Sequence, residues 1–238
     1  SAVGQVPEYT TMITEWVKEV AKVPVLVKLT PNTTDVTRIA VAAVKGGADG
    51  LSLINTINSI TGIDLDTFAP RPNVDGMSTH GGYCGPAVKP IALNMVHQVC
   101  SHPEIKVPVS GIGGITTWQD AAEFILLGAS TVQICTAVMK FGFRIIELLT
   151  SGLNNYLDQK GFKTVSQLRG KTIERIVTWG DLNLNFKVVA NIDEEKCIGC
   201  QICYIACEDA TYQSIKLVPD KRTPQIDEKL CKGCNLCM

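Results

Sequence analysis

The chain has 238 residues, of which 45% are hydrophobic and 19% are charged, so it can bury a large core and a small second module. Its formal net charge of -1 gives no electrostatic footprint for nucleic acid or for an anionic membrane. The most apolar window, residues 121–139, is interrupted by Leu127-Gly128-Ala129-Ser130 and predicts a helix, a turn and a buried strand rather than a membrane span.

Helical patterns and short apolar runs alternate between residues 7 and 160. Residues 7–22 form an amphipathic helical pattern with Met12, Trp16, Val17 and Val20 on one face. Four near-continuous apolar runs predict strands with both faces buried, at residues 23–29, 50–54, 107–110 and 131–135. Helices are predicted between and after them, at residues 35–45, 89–99, 117–127 and 141–159. This alternation predicts a parallel α/β fold.

The number of strand–helix units leaves the architecture open. A complete (β/α)8 barrel needs eight units and roughly 250 residues, and the pattern supplies half of that number of units. It therefore fits either an open doubly wound sheet or half of a barrel, and periodicity does not decide between them. Half a barrel would leave two sheet edges unpaired, so we expect residues 1–160 to be poorly stable by themselves.

Three further segments complete the domain plan. Residues 70–79 form a long connection that we expect to cover one side of the functional site. Residues 161–187 are predicted to be a partly helical connector between residues 1–160 and a second domain, residues 188–238. Within the second domain we predict a first strand at residues 188–192 and a small hairpin formed by residues 215–218 and 223–226.

Seven of the ten cysteines fall within the last 42 residues. They form a Cys-x2-Cys-x2-Cys-x3-Cys run and a second Cys-x2-Cys-x2-Cys run, at Cys197, Cys200, Cys203, Cys207, Cys231, Cys234 and Cys237. This spacing is the ligand arrangement of two-cluster bacterial ferredoxins. A disulfide framework is disfavoured because the rest of the chain carries only Cys84, Cys100 and Cys135. Structural zinc is disfavoured because the third cysteine of each run would have no role.

The spacing also predicts which cysteines share a cluster. In two-cluster ferredoxins the fourth cysteine of a run ligates the other cluster, so Cys207 would complete the cluster held by the second run. The cluster held by the first three cysteines of the first run needs a ligand about three residues beyond Cys237, so we expect the chain to continue beyond Met238. Glu208 stands where the ferredoxin pattern has proline, which shapes the turn and ligates nothing.

Motifs at the predicted strand ends resemble one family. They are Lys28-Leu29-Thr30-Pro31-Asn32, Ile54-Asn55-Thr56, Ser110-Gly111-Ile112-Gly113-Gly114-Ile115, Gln133-Ile134-Cys135-Thr136, and Gly81-Gly82-Tyr83-Cys84-Gly85 ahead of a helix. Together they closely resemble the second half of the FMN barrel of dihydroorotate and dihydropyrimidine dehydrogenases. With the cysteine runs that follow, the resemblance extends from Gly4 to Met238 and is closest to the bacterial iron–sulfur subunit type. It implies the C-terminal half of a TIM (β/α)8 FMN barrel, followed by a small α+β ferredoxin-like domain with two 4Fe–4S clusters.

The resemblance also implies roles for residues at the carboxyl ends of the strands, where barrel active sites lie. Lys28 is expected near N1 and O2 of the flavin, where a cation stabilises the reduced ring. Asn55 and Thr56 are expected to contact the pyrimidine substrate. The FMN phosphate is expected on Ile112, Gly113, Gly114, Cys135 and Thr136, with Gly85 against the cofactor. Ordinary explanations stay open for these positions: a solvated strand end for the lysine and turn formation for the others.

No catalytic residue is assigned within the chain. In the family, the proton-donating cysteine lies on the loop after the fourth barrel strand, which would precede Ser1. Cys84 lies instead in the glycine-rich segment, and Cys100 is expected to be a small buried apolar residue. His80, His97 and His102 lack the spacing of a metal site.

The activity implied by the resemblance is NAD(P)-dependent reduction of uracil or thymine to the 5,6-dihydropyrimidine in pyrimidine catabolism. Electrons from NAD(P)H would enter through a separate FAD-binding flavoprotein subunit and pass through the clusters to FMN. The alternatives are a dihydroorotate dehydrogenase, another FMN reductase with the same barrel, or a non-catalytic iron–sulfur electron carrier. We expect an oligomer in the cytoplasm, where thiols stay reduced, and no activity from these residues alone.

Overall fold

The computed structural model describes residues 3–238, so the first two residues of the predicted half-barrel lie outside the described residues. The chain divides into two units, one ending at Ile176 and the other comprising Val177–Met238. This division falls within the segment that the sequence predicts to be a connector. No helix formed by residues 3–238 is both long enough and apolar enough to cross a membrane.

Helices and strands alternate along the first unit. In chain order the elements are α1 Pro7–Val20, β1 Leu26–Lys28, α2 Val36–Lys45, β2 Gly50–Leu53, β3 Ile57–Ser59, β4 Gly62–Ile63, β5 Pro70–Arg71, β6 Gly81–Tyr83, α3 Lys89–Ser101, β7 Val109–Ile112, α4 Trp118–Leu126, β8 Thr131–Gln133, α5 Thr136–Phe141, α6 Ile145–Gln159 and α7 Val165–Leu168. The four predicted strands are present as β1, β2, β7 and β8, each slightly shorter than or shifted from its predicted range.

These four strands form one parallel sheet in the order β1-β2-β7-β8. The register aligns Lys28 with Ser52, Ser52 with Ser110, and Ser110 with Thr131, so these side chains occupy one row on one face. Within residues 3–238, β1 and β8 each pair on one side only. The predicted parallel α/β arrangement is therefore confirmed, with both outer strands open at the edge.

The opposite face of this sheet carries the main hydrophobic core. Leu51 and Leu53 of β2 are fully buried there, together with Phe124 of α4 and Val96 of α3. Because side chains alternate along a strand, burying these leucines turns the intervening Ser52 to the other face. A Cβ on Gly111 would come within 2.5 Å of the Phe124 ring, so the glycine allows that ring to lie against the strand.

Two segments of the first unit differ from their predictions. The predicted helix 141–159 begins only at Ile145, as α6, because Gly142 adopts a φ of 75° and ends a separate helix, α5, that the sequence did not predict. The predicted connection at residues 70–79 belongs to a longer excursion, in which β3 pairs with β6 and β4 pairs with β5, both antiparallel. Residues 57–83 therefore form short strands, although no strands are predicted there from the sequence.

The second unit contains α8 Ile202–Glu208, β9 Ile215–Lys216 and β10 Gln225–Ile226. The predicted hairpin is confirmed, since β9 and β10 pair antiparallel. The predicted strand at residues 188–192 is wrong, because this segment forms no strand. Its Ala190 N–H donates to the Cys231 sulfur at 3.3 Å instead of to a neighbouring strand.

Candidate functional site

The sequence-predicted barrel residues meet in one cleft at the carboxyl ends of β1, β2, β7 and β8. The nine that line it are Lys28, Asn55, Thr56, Gly85, Ile112, Gly113, Gly114, Cys135 and Thr136. They come from segments far apart in the chain and meet because parallel strands end at the same edge of the sheet. Tyr83, Cys84, Thr116 and Gln133, which the sequence prediction did not include, line the same cleft.

Gly113 and Gly114 form the turn between β7 and α4. Their φ angles are 146° and 76°, which L side chains rarely adopt. A Cβ on Gly113 would lie 2.6 Å from Cβ of Ala92, and one on Gly114 would lie 2.8 Å from the Gly85 carbonyl oxygen. The fold therefore requires both glycines, and the open backbone could also approach a phosphate closely.

Asp120 fixes this turn from the first turn of α4. Its carboxylate accepts hydrogen bonds from the backbone N–H groups of Thr116 and Thr117, both at 2.8 Å, and from the Lys89 ammonium at 2.6 Å. Burial raises the pKa of Asp120, but the lysine and these N–H groups outweigh it and hold the pKa well below its usual range. Asp120 and Glu123 raise the pKa of Lys89 in turn.

The sequence predicts neither role of Asp120, although the spacing of its capping role is visible in the chain. Thr117 and Asp120 have the spacing of a capping box, and the Asp120 N–H donates to the Thr117 hydroxyl at 3.3 Å. The chain distance of 31 residues between Lys89 and Asp120 concealed the ion pair.

Asn55 and Thr56 lie directly after β2. The Asn55 side-chain oxygen accepts from the Thr56 N–H at 2.8 Å, which is the turn-forming role that the sequence left open. Asn32 holds the same segment, donating from Nδ2 to the Thr56 carbonyl at 3.0 Å and accepting from the Asn58 N–H at 2.8 Å. Both residues line the cleft, and they carry an amide nitrogen and a hydroxyl group.

A polar network lies on the sheet face opposite the helices. The Gln133 side-chain amide donates to the hydroxyls of Ser52 and Ser110, both at 2.8 Å, and Thr131 donates to Ser110 at 2.8 Å. Ser52 and Ser110 are buried, so these bonds satisfy hydroxyls that would otherwise be costly to bury. Lys28 ends β1 in the same row and is exposed, and within residues 3–238 it makes no ion pair.

Two cysteines line the cleft near α5. Cys135 immediately precedes α5, and Cys84 accepts a hydrogen bond from the Thr136 hydroxyl at 3.4 Å. Both are exposed, whereas Cys100 is mostly buried and burial raises its pKa to about 12. The expectation that Cys100 is an inert buried residue agrees with its position.

A second cavity, of about 280 Å³, lies in the second unit. Five cysteines line it: Cys203, Cys207, Cys231, Cys234 and Cys237. Four of these, Cys207 and the three cysteines of the second run, are predicted from the ferredoxin spacing to ligate one cluster. Cys197 and Cys200 do not line this cavity; the Cys197 sulfur lies beside Arg222, whose carbonyl oxygen is 4.0 Å away.

Hydrogen bonds lower the pKa of two of the seven predicted ligands. The N–H groups of Ala190 and Gly233 lower the pKa of Cys231, and the Thr223 hydroxyl and Gly199 N–H lower that of Cys197. A lower pKa favours the thiolate, which is the form that binds metal. Burial raises the pKa of Cys237, and the nearby sulfurs of Cys207, Cys234 and Cys231 add to that effect.

The cysteine cavity suits a group larger than a single ion. Its five cysteines surround a volume of about 280 Å³. Zinc would draw its four thiolates to about 3.8 Å from one another, given its bond length and tetrahedral geometry. A four-iron cube places its ligands farther apart around a central volume. The set of thiol donors around a cavity therefore fits a 4Fe–4S cluster.

Comparison with known protein families gives two matches. Residues 1–157 match the dihydroorotate dehydrogenase family, and residues 190–238 match the 4Fe-4S dicluster domain. These matches confirm the predicted fold class, which is half of an FMN barrel followed by a ferredoxin-like domain. They also confirm FMN and 4Fe–4S clusters as the cofactors, while the individual residues that hold them stay predictions.

Curated relatives match parts of the chain at similar identity. The NAD-dependent dihydropyrimidine dehydrogenase subunit PreA of Escherichia coli K12 is 46% identical over 94% of this chain and 55% of its own length. The catalytic subunit of dihydroorotate dehydrogenase B (NAD(+)) from Pyrococcus furiosus is 46% identical over 71% of this chain and 54% of its own. The chloroplastic dihydropyrimidine dehydrogenase (NADP(+)) of Arabidopsis thaliana is 42% identical over 76% of this chain and 44% of its own length.

The chain spans about half the length of the curated relatives it matches. The family match covers residues 1–157, about two-thirds of the chain. All the residues that line the strand-end cleft lie within this range. The chain belongs to the dihydroorotate dehydrogenase family.

Proposed function

We propose that this chain is part of a dihydropyrimidine dehydrogenase, which reduces uracil or thymine to the 5,6-dihydropyrimidine with electrons from NAD(P)H. One observation carries the proposal. The similarity to the E. coli dihydropyrimidine dehydrogenase subunit covers 94% of the chain, so it includes both the barrel strands and the cysteine runs. The barrel alone would support any FMN reductase of the family.

The strand-end cleft is proposed to hold FMN and the pyrimidine. Ile112, Gly113, Gly114, Cys135 and Thr136 would surround the phosphate, and Gly85 would lie against the cofactor. The glycine backbone is suited to an anion, because N–H groups that no side chain covers can approach a phosphate closely. When bound, the flavin supplies hydride chemistry at C6 of the pyrimidine and the clusters supply one-electron transfer.

Lys28 is proposed to place a positive charge beside N1 and O2 of the flavin. Its position at the carboxyl end of β1, exposed in the cleft, allows this role. A fixed cation at this position stabilises negative charge that develops on the ring. Asn55 and Thr56 would pair with the pyrimidine edge, which mixes hydrogen-bond donors and acceptors as an amide does. We assign the proton donor for C5 to a cysteine outside this chain.

Cys207 and the three cysteines of the second run are proposed to ligate one cluster, and Cys197, Cys200 and Cys203 the other. Electrons would reach them from a separate FAD- and NAD(P)H-binding subunit. The E. coli relative is itself a subunit of a dihydropyrimidine dehydrogenase, which supports a multi-subunit assembly. We place the assembly in the cytoplasm, because reduced thiols and clusters persist in a reducing compartment.

A dihydroorotate dehydrogenase is the second candidate. The P. furiosus catalytic subunit is 46% identical over 71% of this chain, and the E. coli dihydropyrimidine dehydrogenase subunit has the same identity over 94% of it. The two functions differ in the oxidant that the reduced protein accepts. The complete protein, reduced under argon, should be reoxidised by uracil or thymine with conversion to the dihydro product, and not by orotate. Reoxidation by orotate alone would select the second candidate.

Lys28 allows a residue-level test of the cleft. Lys28→Ala should slow turnover on the order of 10²-fold, since removal of one preorganised electrostatic group costs about that much. Lys106→Ala is the matched control, because Lys106 is also exposed but lies before β7, at the opposite end of the sheet. Equal turnover of the wild type and Lys28→Ala would remove the proposed role.

A further inference from the structure

Asn32 joins the chain that follows β1 to the segment that follows β2. Its side-chain nitrogen donates to the Thr56 carbonyl oxygen at 3.0 Å and to the Thr30 hydroxyl at 3.1 Å, and its side-chain oxygen accepts from the Asn58 N–H at 2.8 Å. The orientation of the amide is fixed, because a backbone carbonyl can only accept and a backbone N–H can only donate. Both N–H groups and the oxygen of this amide are therefore engaged by the protein itself.

Thr30 anchors Asn32 at the carboxyl edge of the sheet. The Thr30 side chain is buried, and its hydroxyl oxygen accepts from the Asn32 backbone N–H at 3.2 Å as well as from the side-chain amide. The Asn55 N–H also donates to the Leu29 carbonyl oxygen at 2.9 Å, so a backbone bond joins the same two segments. A buried anchor restricts the rotamer of Asn32 and holds its contacts with the next segment in one geometry.

The Thr56 side chain is held by the excursion that follows it. A Cβ on Gly82 of β6 would collide with the Thr56 hydroxyl, so the glycine leaves the space that this hydroxyl occupies. Gly82 pairs with Asn58 of β3, whose N–H is the one that Asn32 binds. Asn32 therefore fixes both the backbone of Thr56 and the strand that packs against its side chain.

We propose that Asn32 is a positioning residue for pyrimidine recognition, which holds Asn55 and Thr56 in the geometry that binds the substrate. This inference rests on the proposed function, which gives those two residues the contact with the pyrimidine. Asn32 itself is not proposed to touch the substrate or FMN. Groups that are already ordered lose less conformational entropy when a ligand binds, so loss of Asn32 should weaken pyrimidine affinity.

The test measures uracil binding to the complete, FMN-loaded protein by isothermal titration calorimetry. The fluorescence of flavin released on denaturation gives the FMN content. Asn32→Ala should raise the Kd of uracil about tenfold, the effect of one net hydrogen bond, and should retain FMN. Asn94→Ala is the matched control, because Asn94 is exposed on α3, and it should change neither quantity.

A double-mutant cycle distinguishes positioning from a general loss of stability. Thr56→Val should raise the Kd of uracil by itself. When Asn32→Ala and Thr56→Val are combined, the rise should be smaller than the product of the two single rises, because Asn32 acts through the segment that contains Thr56. Two independent effects would multiply.

The outcomes separate the inference from the proposed function. A wild type that does not bind uracil, or a Kd that neither Thr56→Val nor Asn55→Ala changes, contradicts the proposed function itself. A raised Kd in Thr56→Val overturns only the inference if Asn32→Ala matches Asn94→Ala or if the two rises multiply. Should Asn32→Ala lose FMN, Thr30→Val decides, since it removes the anchoring hydroxyl: it must raise the Kd and retain FMN, and any other result overturns the proposal.

Discussion

The two units of this chain bury different kinds of side chain. The first unit packs aliphatic and aromatic residues such as Leu51, Leu53 and Phe124 between its parallel sheet and three helices. Among the residues of the second unit, those that are buried include Cys207, Cys231, Ser214 and Ile215. Its regular structure consists of a 3-10 turn at Trp179–Asp181, the short helix α8 and one hairpin. Hydrophobic burial therefore specifies the first unit, whereas metal ligation must supply much of the folding free energy of the second.

Removal of iron should produce the largest difference in stability between the two units. Chelation or oxidative loss of the clusters should abolish hydrogen-exchange protection in Val177–Met238, because too few apolar side chains are buried there to offset the chain entropy. The core helices α2, α3 and α4 should keep their protection. Hydrogen exchange read by mass spectrometry measures both units in one sample, and retained protection in the second unit would contradict the comparison.

Truncation of the aromatic core should produce the next largest effect. Phe124→Ala should reduce the free energy of unfolding of the first unit by about 3–5 kcal/mol, through lost transfer energy and a cavity. Phe143→Ala removes the same atoms from a side chain that is 84% exposed, and should change that free energy by less than about 0.5 kcal/mol. Denaturant-dependent hydrogen exchange of α4 compares the two; equal losses would mean that Phe124 is not the core residue described above.

Neutralising Asp120 should destabilise the turn between β7 and α4. Asp120→Asn leaves Lys89 without its closest carboxylate and should cost about 2–4 kcal/mol, discounted for partial exposure of the pair. Glu123→Gln is the control, because Glu123 also pairs with Lys89 but is more exposed. Urea unfolding of the first unit at pH 7 should rank Asp120→Asn well below Glu123→Gln, and the reverse order would contradict the assignment.

The same carboxylate predicts a pH dependence. Its pKa in the folded state is below the value near 3.9 of an unfolded chain, so its contribution is present above about pH 4 and is lost as pH falls through the folded-state pKa. The wild type should therefore lose more stability than Asp120→Asn between about pH 4 and pH 2. Parallel acid titrations of the two proteins that superimpose would exclude this contribution.

A smaller effect is expected at Gly113. Gly113→Ala introduces a Cβ that meets Ala92 and forces a φ that alanine rarely adopts, at a cost of about 1–3 kcal/mol. Gly62→Ala is the matched control, since nothing lies within 4 Å of its added Cβ. The stability loss should be present without FMN as well as with it. A loss seen only in the FMN-bound protein would assign the glycine to the cofactor alone.

The strand–helix alternation of the first unit could be predicted because local apolar periodicity determines it. The nine cleft residues could be predicted by resemblance, since each lies at or shortly after the carboxyl end of a strand. The Gln133 network with Ser52 and Ser110 could not, because its partners are 81 and 23 residues away in the chain. The late start of α6 depends on one glycine conformation, at Gly142, that the helical pattern does not reveal.

The second unit was predicted better in its chemistry than in its structure. Cysteine spacing predicted the ligand groups, and five of the seven predicted ligands, including Cys207, line one cavity. The apolar run around Ala190 indicated a strand, but its N–H is used by the Cys231 sulfur. Strand propensity assumes that backbone N–H groups pair with a neighbouring strand, whereas here the Cys231 sulfur accepts the hydrogen bond of the Ala190 N–H.

The most direct test of the account is iron and acid-labile sulfide analysis of the anaerobically purified complete protein, with electron paramagnetic resonance after reduction. We expect iron and sulfide in equal amounts and the signals of reduced 4Fe–4S clusters. These signals should disappear when uracil is added, because uracil would reoxidise the clusters. A colourless protein that contains zinc and no sulfide would contradict it.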